Sequence, residues 1–134
     1  MTDVLVDSNV ILEIVTEDPN WFEWSSTQVM RSVARGNLII NPIIYAEVSI
    51  GFAGVEALET ALPSDFFQYE PLPWNTAFLA GKAFLQYRQR SGDRRSPLPD
   101  FYIGAHATVL EIPLLTKDVS RYRTYFSTLE LIVP

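Results

Sequence analysis

Short apolar runs alternate with longer segments of helical periodicity along the chain. The apolar runs are short enough for buried strands, and the segments between them repeat apolar residues at three- and four-residue intervals, as helices do. Such alternation predicts an α/β fold, in which a parallel sheet of about five strands lies between helices on both faces. Strands are expected at 3–7, 38–40, 66–72, 113–116 and 129–133.

Polar residues and prolines indicate where the helices begin. Ser8 or Asn9 is placed to cap the first helix, and Asn41 is placed to cap the third, where Pro42 takes the first helical position. The long helix that follows Pro73 is expected to bury Phe78, Leu79, Ala83 and Leu85 on one apolar face. Helices are expected at 9–18, 20–36, 42–52, 54–61, 73–90 and 99–111.

Length and composition indicate one globular domain over residues 1–134. Apolar residues make up 48% and charged residues 19% of the chain, and there is no cysteine. No apolar run approaches the 18 or so residues that span a bilayer, and no charged leader opens the chain. We therefore expect a soluble, cytoplasmic protein without membrane contact. The net charge of −6 argues against a protein that coats nucleic acid, but not against an enzyme that acts on it.

Four acids stand out because each is embedded in apolar or conformationally restricted sequence. They are Asp7 in VLVDSN, Glu47 in IIYAEVSIG, Asp100 in PLPDFYIGAHA and Asp118 in LLTKDVSRY. Asp7 and Asp118 follow predicted parallel strands, whose carboxyl ends form the ligand-binding edge of such a sheet. Each acid also has an ordinary explanation, since Asp7 and Asp100 could stabilise helix starts and Glu47 could face solvent.

A cluster of these acids would require a cation. Carboxylates that converge at one sheet edge repel one another and raise one another's pKa unless a positive charge neutralises them. With no cysteine and a single histidine, the ligands would all be oxygen atoms, which favours Mg²⁺ or Mn²⁺ over zinc. Magnesium held by carboxylates takes further ligands from phosphate, so the expected substrate is a phosphodiester or a nucleotide.

The order of these motifs resembles that of a family. The chain resembles PIN-domain ribonucleases, and especially the VapC-type toxins of toxin–antitoxin pairs. The resemblance lies in three stretches in this order: VLVDSNVIL, NPIIYAEV and the segment from PLPDFYIGAHA to the end. The resemblance covers essentially the whole chain and implies a PIN-like three-layer sandwich. Its four acids match Asp7, Glu47, Asp100 and Asp118. One departure is Lys117, which stands where the family usually has arginine.

The resemblance implies roles for these residues. Asp7, Asp100 and Asp118 would hold one or two divalent ions, and Glu47 would complete the acidic pocket and orient the attacking water. Thr116, together with Ser8 or Asn9, would position a carboxylate or a water. The activity implied is endonucleolytic cleavage of RNA by a metal-activated water.

Basic residues near the acids are expected to contact RNA. Arg94 and Arg95 lie in the polar loop that leads to the helix of Asp100, where a phosphate backbone would approach the acidic pocket. Lys117 and Arg121 belong to a second basic group beside Asp118, and we assign them to the same role.

The family implies two protein partners. A toxin of this type requires a cognate VapB-type antitoxin, and helices 9–16 and 20–36 carry more large apolar residues than one side of a small sheet buries. We therefore expect a groove there for an amphipathic antitoxin segment. The family also implies a homodimer. Two other functions stay open: an inactive PIN-fold binding or scaffold protein, and another Mg²⁺-dependent phosphodiesterase or nuclease.

Overall fold

A computed structural model describes residues 2–91 and 98–134 as a five-stranded sheet with helices around it. The strands are β1 (Val4–Val6), β2 (Leu38–Ile40), β3 (Phe67–Tyr69), β4 (Leu114–Leu115) and β5 (Leu131–Ile132). The helices in these ranges are α1 (Ser8–Val15), α2 (Phe22–Arg35), α3 (Pro42–Ser49), α4 (Val55–Ala61), α5 (Trp74–Ser91), α6 (Leu98–Leu110) and α7 (Ser120–Tyr125).

All strand pairings are parallel, in the order β3-β2-β1-β4-β5. Every residue of β1, β2 and β4 is buried. Because successive side chains of a strand point to opposite faces, burial of every residue requires that both faces of the sheet be covered. The predicted α/β architecture is therefore confirmed. In the described part of the chain, no helix is both long enough and apolar enough to cross a bilayer.

The predicted helix starts are right at α3 and wrong at α1. Asn41 accepts a hydrogen bond from the Ile44 amide at 2.9 Å, and Pro42 begins α3. In α1, however, Asp7 holds the N-cap position and Ser8 is already helical. The strand thus runs directly into the helix, and the carboxylate of Asp7 is turned toward the α1 N-terminus.

The predicted apolar face of α5 is wrong in part. Ala83 is buried, as expected, but Phe78 is 69% exposed and Leu85 is 47% exposed. Seven residues separate Phe78 from Leu85, so both lie on one side of the helix, away from the side that carries Ala83. The buried side instead includes Thr76, Ala80 and Ala83.

Helix α7 is absent from the sequence prediction. Its buried Tyr122, and Phe126 one turn later, face the rest of the fold. A Cβ atom added to Gly104 of α6 would lie 2.5 Å from the Phe126 ring, so only glycine leaves space for that ring there. This close approach fixes the carboxyl end of α7 against α6, and with it the residues between Asp118 and Phe126.

Candidate active site

Asp7 lies where the strand order reverses. The chain leaves β1 at Asp7 and leaves the neighbouring β4 at Thr116, and the Asp7 amide donates to the Leu115 carbonyl at 2.9 Å. Open parallel sheets form their ligand sites at such a point, because the two outgoing chains diverge and leave a crevice. The position of Asp7 agrees with the sheet edge expected from the sequence.

Hydrogen-bond donors surround the Asp7 carboxylate. Its Oδ1 accepts from the Ser8 amide at 2.7 Å, and its Oδ2 accepts from the Thr116 hydroxyl at 2.8 Å and the Tyr122 hydroxyl at 3.1 Å. The Asn9 side-chain amide is also near Oδ2, at 3.4 Å. Donors from α1, α7 and the segment after β4 therefore hold one carboxylate, which is only 3% exposed.

The Asp7 carboxyl has a strongly raised pKa. Burial raises it most, and the charges of Asp100 and Glu47 raise it further, while the hydrogen bonds from Thr116 and Tyr122 oppose the shift. The result is a pKa of about 6. A group with this pKa retains a proton in mildly acidic solution unless a cation favours its ionised form.

Glu47 joins this cluster from α3. Its Oε1 accepts a hydrogen bond from the Ser8 hydroxyl at 2.8 Å, which links α3 to the start of α1. Burial raises the Glu47 pKa, and the charge of Asp100 raises it further, while the bond from Ser8 opposes the shift. Glu47 is therefore half-buried and directed at the start of α1, where Asp7 lies.

Asp100 lies in the first turn of α6 and forms an ion pair with Arg121 of α7. Burial raises the Asp100 pKa and Asp118 raises it further, whereas Arg121 lowers it. The Arg121 guanidinium also lies 5.6 Å from the ring centroid of Tyr87 and 5.9 Å from that of Phe101. An arginine of this chain therefore partly neutralises the acidic cluster.

Thr116 connects three of the predicted residues. While donating to Asp7, its hydroxyl oxygen accepts from the Asn9 side-chain amide at 3.2 Å and from the Asp118 backbone amide at 3.1 Å. The Asn9 side-chain oxygen Oδ1 in turn accepts from the Lys117 backbone amide at 3.3 Å. The segment after β4 is thereby fastened to the start of α1, and Asp118 is placed beside Asp100.

The Lys117 side chain pairs with an acid outside the predicted set of four. Its ammonium group pairs with Glu13 of α1 and lies 4.9 Å from the centroid of the Trp21 ring. Burial lowers the Lys117 pKa. The ion pair with Lys117 also explains why Glu13 interrupts the apolar face of α1. The second carboxylate oxygen of Glu13 is buried without a hydrogen-bond partner.

Tyr122 is the member of the site that the sequence analysis missed. It is 1% exposed, and burial together with the charges of Asp7, Asp100 and Asp118 raises the pKa of its hydroxyl well above the usual value. One signal was available, because Tyr122 follows Asp118 by four residues and precedes Phe126 by four. That spacing is typical of a helix that carries an acid and a buried ring on one side.

The structure gathers four predicted acids around the crevice, with Ser8, Asn9 and Thr116 between them. Arg94 and Arg95 lie outside the described residues. Within residues 2–91 and 98–134, no three acidic or histidine side chains are arranged so that they could hold a metal ion together. The donor set is nevertheless wholly oxygen, and its mutually repelling carboxylates, of which Asp7 is buried and the others are half-buried, are suited to bind a hard cation or to accept a proton.

Comparisons with known proteins agree on the fold. No curated protein matches the sequence. Among solved structures, VapBC2 from Rickettsia felis, bound to a DNA fragment from its promoter, gives a TM-score of 0.76 at 14% identity over 99% of both chains. VapBC-1 from nontypeable Haemophilus influenzae gives 0.72 at 19% identity over 98% of both chains.

A third similar structure is VapC20 of Mycobacterium tuberculosis, a toxin that cleaves the sarcin–ricin loop, with a TM-score of 0.62 at 15% identity over 95% of this chain and 98% of that one. Such identities establish a shared fold. The family model for the PIN domain matches residues 4–126, which confirms the resemblance seen in the motifs. Because that match spans most of the sequence, the chain belongs to the PIN-domain family.

Proposed function

We propose that the protein is a Mg²⁺- or Mn²⁺-dependent endoribonuclease and the toxin of a VapBC-type toxin–antitoxin pair. One observation carries the proposal: the buried carboxylate of Asp7, whose pKa is raised to about 6, has Glu47 and Asp100 beside it at the switch point of the sheet. The structural likeness to VapBC complexes and to a toxin that cleaves the sarcin–ricin loop supports the same activity.

The chemistry of the cluster fits a divalent cation. The described carboxylates are not arranged to hold a metal ion together, so Asp7, Asp100 and Asp118 would have to move toward the ion as it binds. Their oxygen atoms are its preferred ligands, and a positive charge would offset the burial and the weaker mutual repulsion that raise the pKa of Asp7 and Asp100. When bound, the ion would lower the pKa of a water and offset charge on the phosphate. Asp100 would have to exchange its partner Arg121 for the ion.

The protein's own residues would orient the reactants. Thr116 and Tyr122 fix Asp7 Oδ2, and Ser8 fixes Glu47 Oε1. This arrangement leaves Glu47 Oε2 to accept the proton of an attacking water, a task for which a raised pKa is suited. Arg121, once released from Asp100, would contact the substrate phosphate, together with Arg94 and Arg95. Lys117 would have to leave Glu13 to join them.

Exposed apolar side chains support two protein partners. Val15 of α1 and Phe22 and Met30 of α2 are exposed, and we assign this surface to an amphipathic segment of a VapB-type antitoxin. Trp74 and Phe78 of α5 are 91% and 69% exposed, and we assign their side of the helix to a homodimer contact.

Cleavage assays with purified protein test the proposal. We expect a labelled RNA to be cut in Mg²⁺ or Mn²⁺ and to stay intact in excess chelator, and Asp100→Asn to abolish cleavage while retaining the fold. Expression alone should arrest growth, and co-expression with the gene upstream should restore growth and yield a complex. Undiminished cleavage in chelator would refute the metal mechanism.

The other candidate functions give different outcomes. Absence of cleavage and toxicity, with a bound partner protein, would indicate an inactive binding protein of the PIN fold. Cleavage of DNA or of phosphomonoesters in preference to RNA would indicate another metal-dependent phosphodiesterase or phosphatase.

A further inference from the structure

A cleft of about 380 Å³ opens beside the acids, between the last turns of α5 and helix α7. Asp118, one of the four candidate acids, forms part of its wall, so the cleft is continuous with the candidate active site. The other lining residues used below are Tyr87, Arg90, Ser120, Thr124 and Tyr125.

Arg90 lies over the ring of Tyr125 at the wall of this cleft. The Arg90 guanidinium carbon lies 5.8 Å from the centroid of the Tyr125 ring, and Tyr125 packs edge-on against Tyr87 with centroids 5.8 Å apart. A guanidinium over a ring face keeps its N–H groups available for a phosphate, which their fork matches. Tyr125 therefore holds the exposed Arg90 side chain at the wall of the cleft, where it can bind an anion.

The remaining wall suits a nucleotide. Ser120 and Thr124 supply hydroxyl groups, of which that of Thr124 donates to the Ser120 carbonyl at 2.8 Å. Tyr87 and Tyr125 are half-buried and supply ring edges, against which a base or ribose can pack. A chain with a net charge of −6 and four acids at its centre needs such a local cation to hold a polyanion near them.

We propose that this cleft binds the nucleotide next to the scissile phosphodiester of single-stranded RNA, with its backbone phosphate on Arg90. The inference rests on the proposed function and extends it, because Arg90 is not among the residues that the sequence analysis assigned to substrate. The bound RNA would then run from the acids along α7 toward the end of α5.

Salt-dependent RNA binding tests the cleft, with a matched control on the same helix. In an Asp7→Asn background that prevents cleavage, Arg90→Gln should weaken binding of a fluorescent oligoribonucleotide about tenfold, as expected for loss of a charged hydrogen-bonded contact. It should also reduce the salt slope by about 0.7. Arg88→Gln removes the same charge from another exposed arginine, which lies 6.0 Å from the centroid of the Phe84 ring and outside the cleft, and should leave both quantities unchanged.

Neutral phosphate analogues locate the contact along the RNA. Methylphosphonate groups are introduced one at a time near the mapped cleavage site. At one position adjacent to that site, the methylphosphonate should weaken RNA binding by the parent protein but should not weaken binding by Arg90→Gln any further. The Arg88→Gln control should lose affinity as the parent does.

The outcomes test the cleft proposal and the proposed ribonuclease function separately. If the wild-type protein cleaves RNA while Arg90→Gln and Arg88→Gln bind it alike, the cleft proposal is overturned and the ribonuclease remains. If the wild-type protein neither binds nor cleaves RNA, both are overturned. If Arg90→Gln loses a partner protein and keeps full RNA affinity, the arginine serves protein docking and the cleft proposal is again overturned.

Discussion

The Tyr122 hydroxyl donates a hydrogen bond of 3.1 Å to Asp7 Oδ2, across 115 positions of sequence. Both residues are buried, and Thr116 donates to the same oxygen at 2.8 Å. Two neutral donors in a low-dielectric surrounding stabilise the ionised carboxylate and restrict its rotation. Helix α7 therefore orients the acid at the end of β1, although neither element is near the other in the chain.

Removing that hydroxyl should alter the pH profile as well as the rate. We expect Tyr122→Phe to lower RNA cleavage about tenfold at pH 7, because a hydrogen bond to a charged group contributes roughly 1.5 kcal/mol. Since the bond from Tyr122 lowers the Asp7 pKa, its loss should raise that pKa and move the acidic limb of the activity profile to higher pH. Cleavage rates measured from pH 5 to 8 provide the check.

Tyr102→Phe is the matched control for this substitution. It removes the same atom from α6 without removing a hydrogen-bond partner of Asp7. If the two variants show the same pH profile, Tyr122 acts only by filling space between α7 and the sheet.

The metal-free protein should lose stability as the pH rises. The Asp7 pKa is about 6 in the folded state against 3.8 for an unperturbed group, so between these values the folded state binds more protons than the unfolded state. The unfolding free energy contributed by Asp7 therefore falls with increasing pH, by about 2 kcal/mol across pH 4 to 7. Burial raises the pKa of Glu47 and Asp100 as well, which adds to the same trend.

Chemical denaturation in chelator at several pH values measures this slope. Asp7→Asn should flatten it, because asparagine cannot ionise, and Mn²⁺ should stabilise the wild-type protein most at pH 7. If the unfolding free energy changes equally with pH in the two proteins, Asp7 is not the source of the pH dependence.

Arg121 should compete with a divalent cation for Asp100. Because the two side chains form an ion pair, Arg121→Gln should free the carboxylate and lower the Mn²⁺ dissociation constant at least about threefold, an effect of the size seen for partly buried charge pairs. Arg123→Gln, on the exposed side of the same helix, serves as the control. Calorimetric Mn²⁺ titrations in which all three proteins bind equally would contradict the competition.

Lys117 has two roles that substitution can separate. If it serves mainly to neutralise Glu13, Lys117→Met should cost about 2 kcal/mol of unfolding free energy, since it leaves a largely buried carboxylate unpaired, and Glu13→Gln should restore much of the loss. If it binds RNA as expected from the sequence, the double variant should be stable and still bind RNA weakly. Denaturation and RNA titrations of the single and double variants decide between these outcomes.

The sequence alone determined the elements that depend on local pattern. The fully apolar β2 is placed at 38–40 as expected, because an apolar run between polar residues requires burial on both faces. Asn41 and Pro42 fix the start of α3 through their own backbone chemistry. The sequence likewise singled out the four acids and the order of their motifs, since each acid interrupts or ends an apolar segment.

Only the tertiary structure decided which side chains meet. The direction of Glu47 depends on Ser8 of another helix, and the partner of Arg121 depends on how α7 packs against α6, where Gly104 admits the Phe126 ring. Phe78 and Leu79 are equally apolar, yet contact with α6 selects which side of α5 is buried. Local propensity could not predict α7, because its six residues are held by the packing of Tyr122 and Phe126 against distant segments.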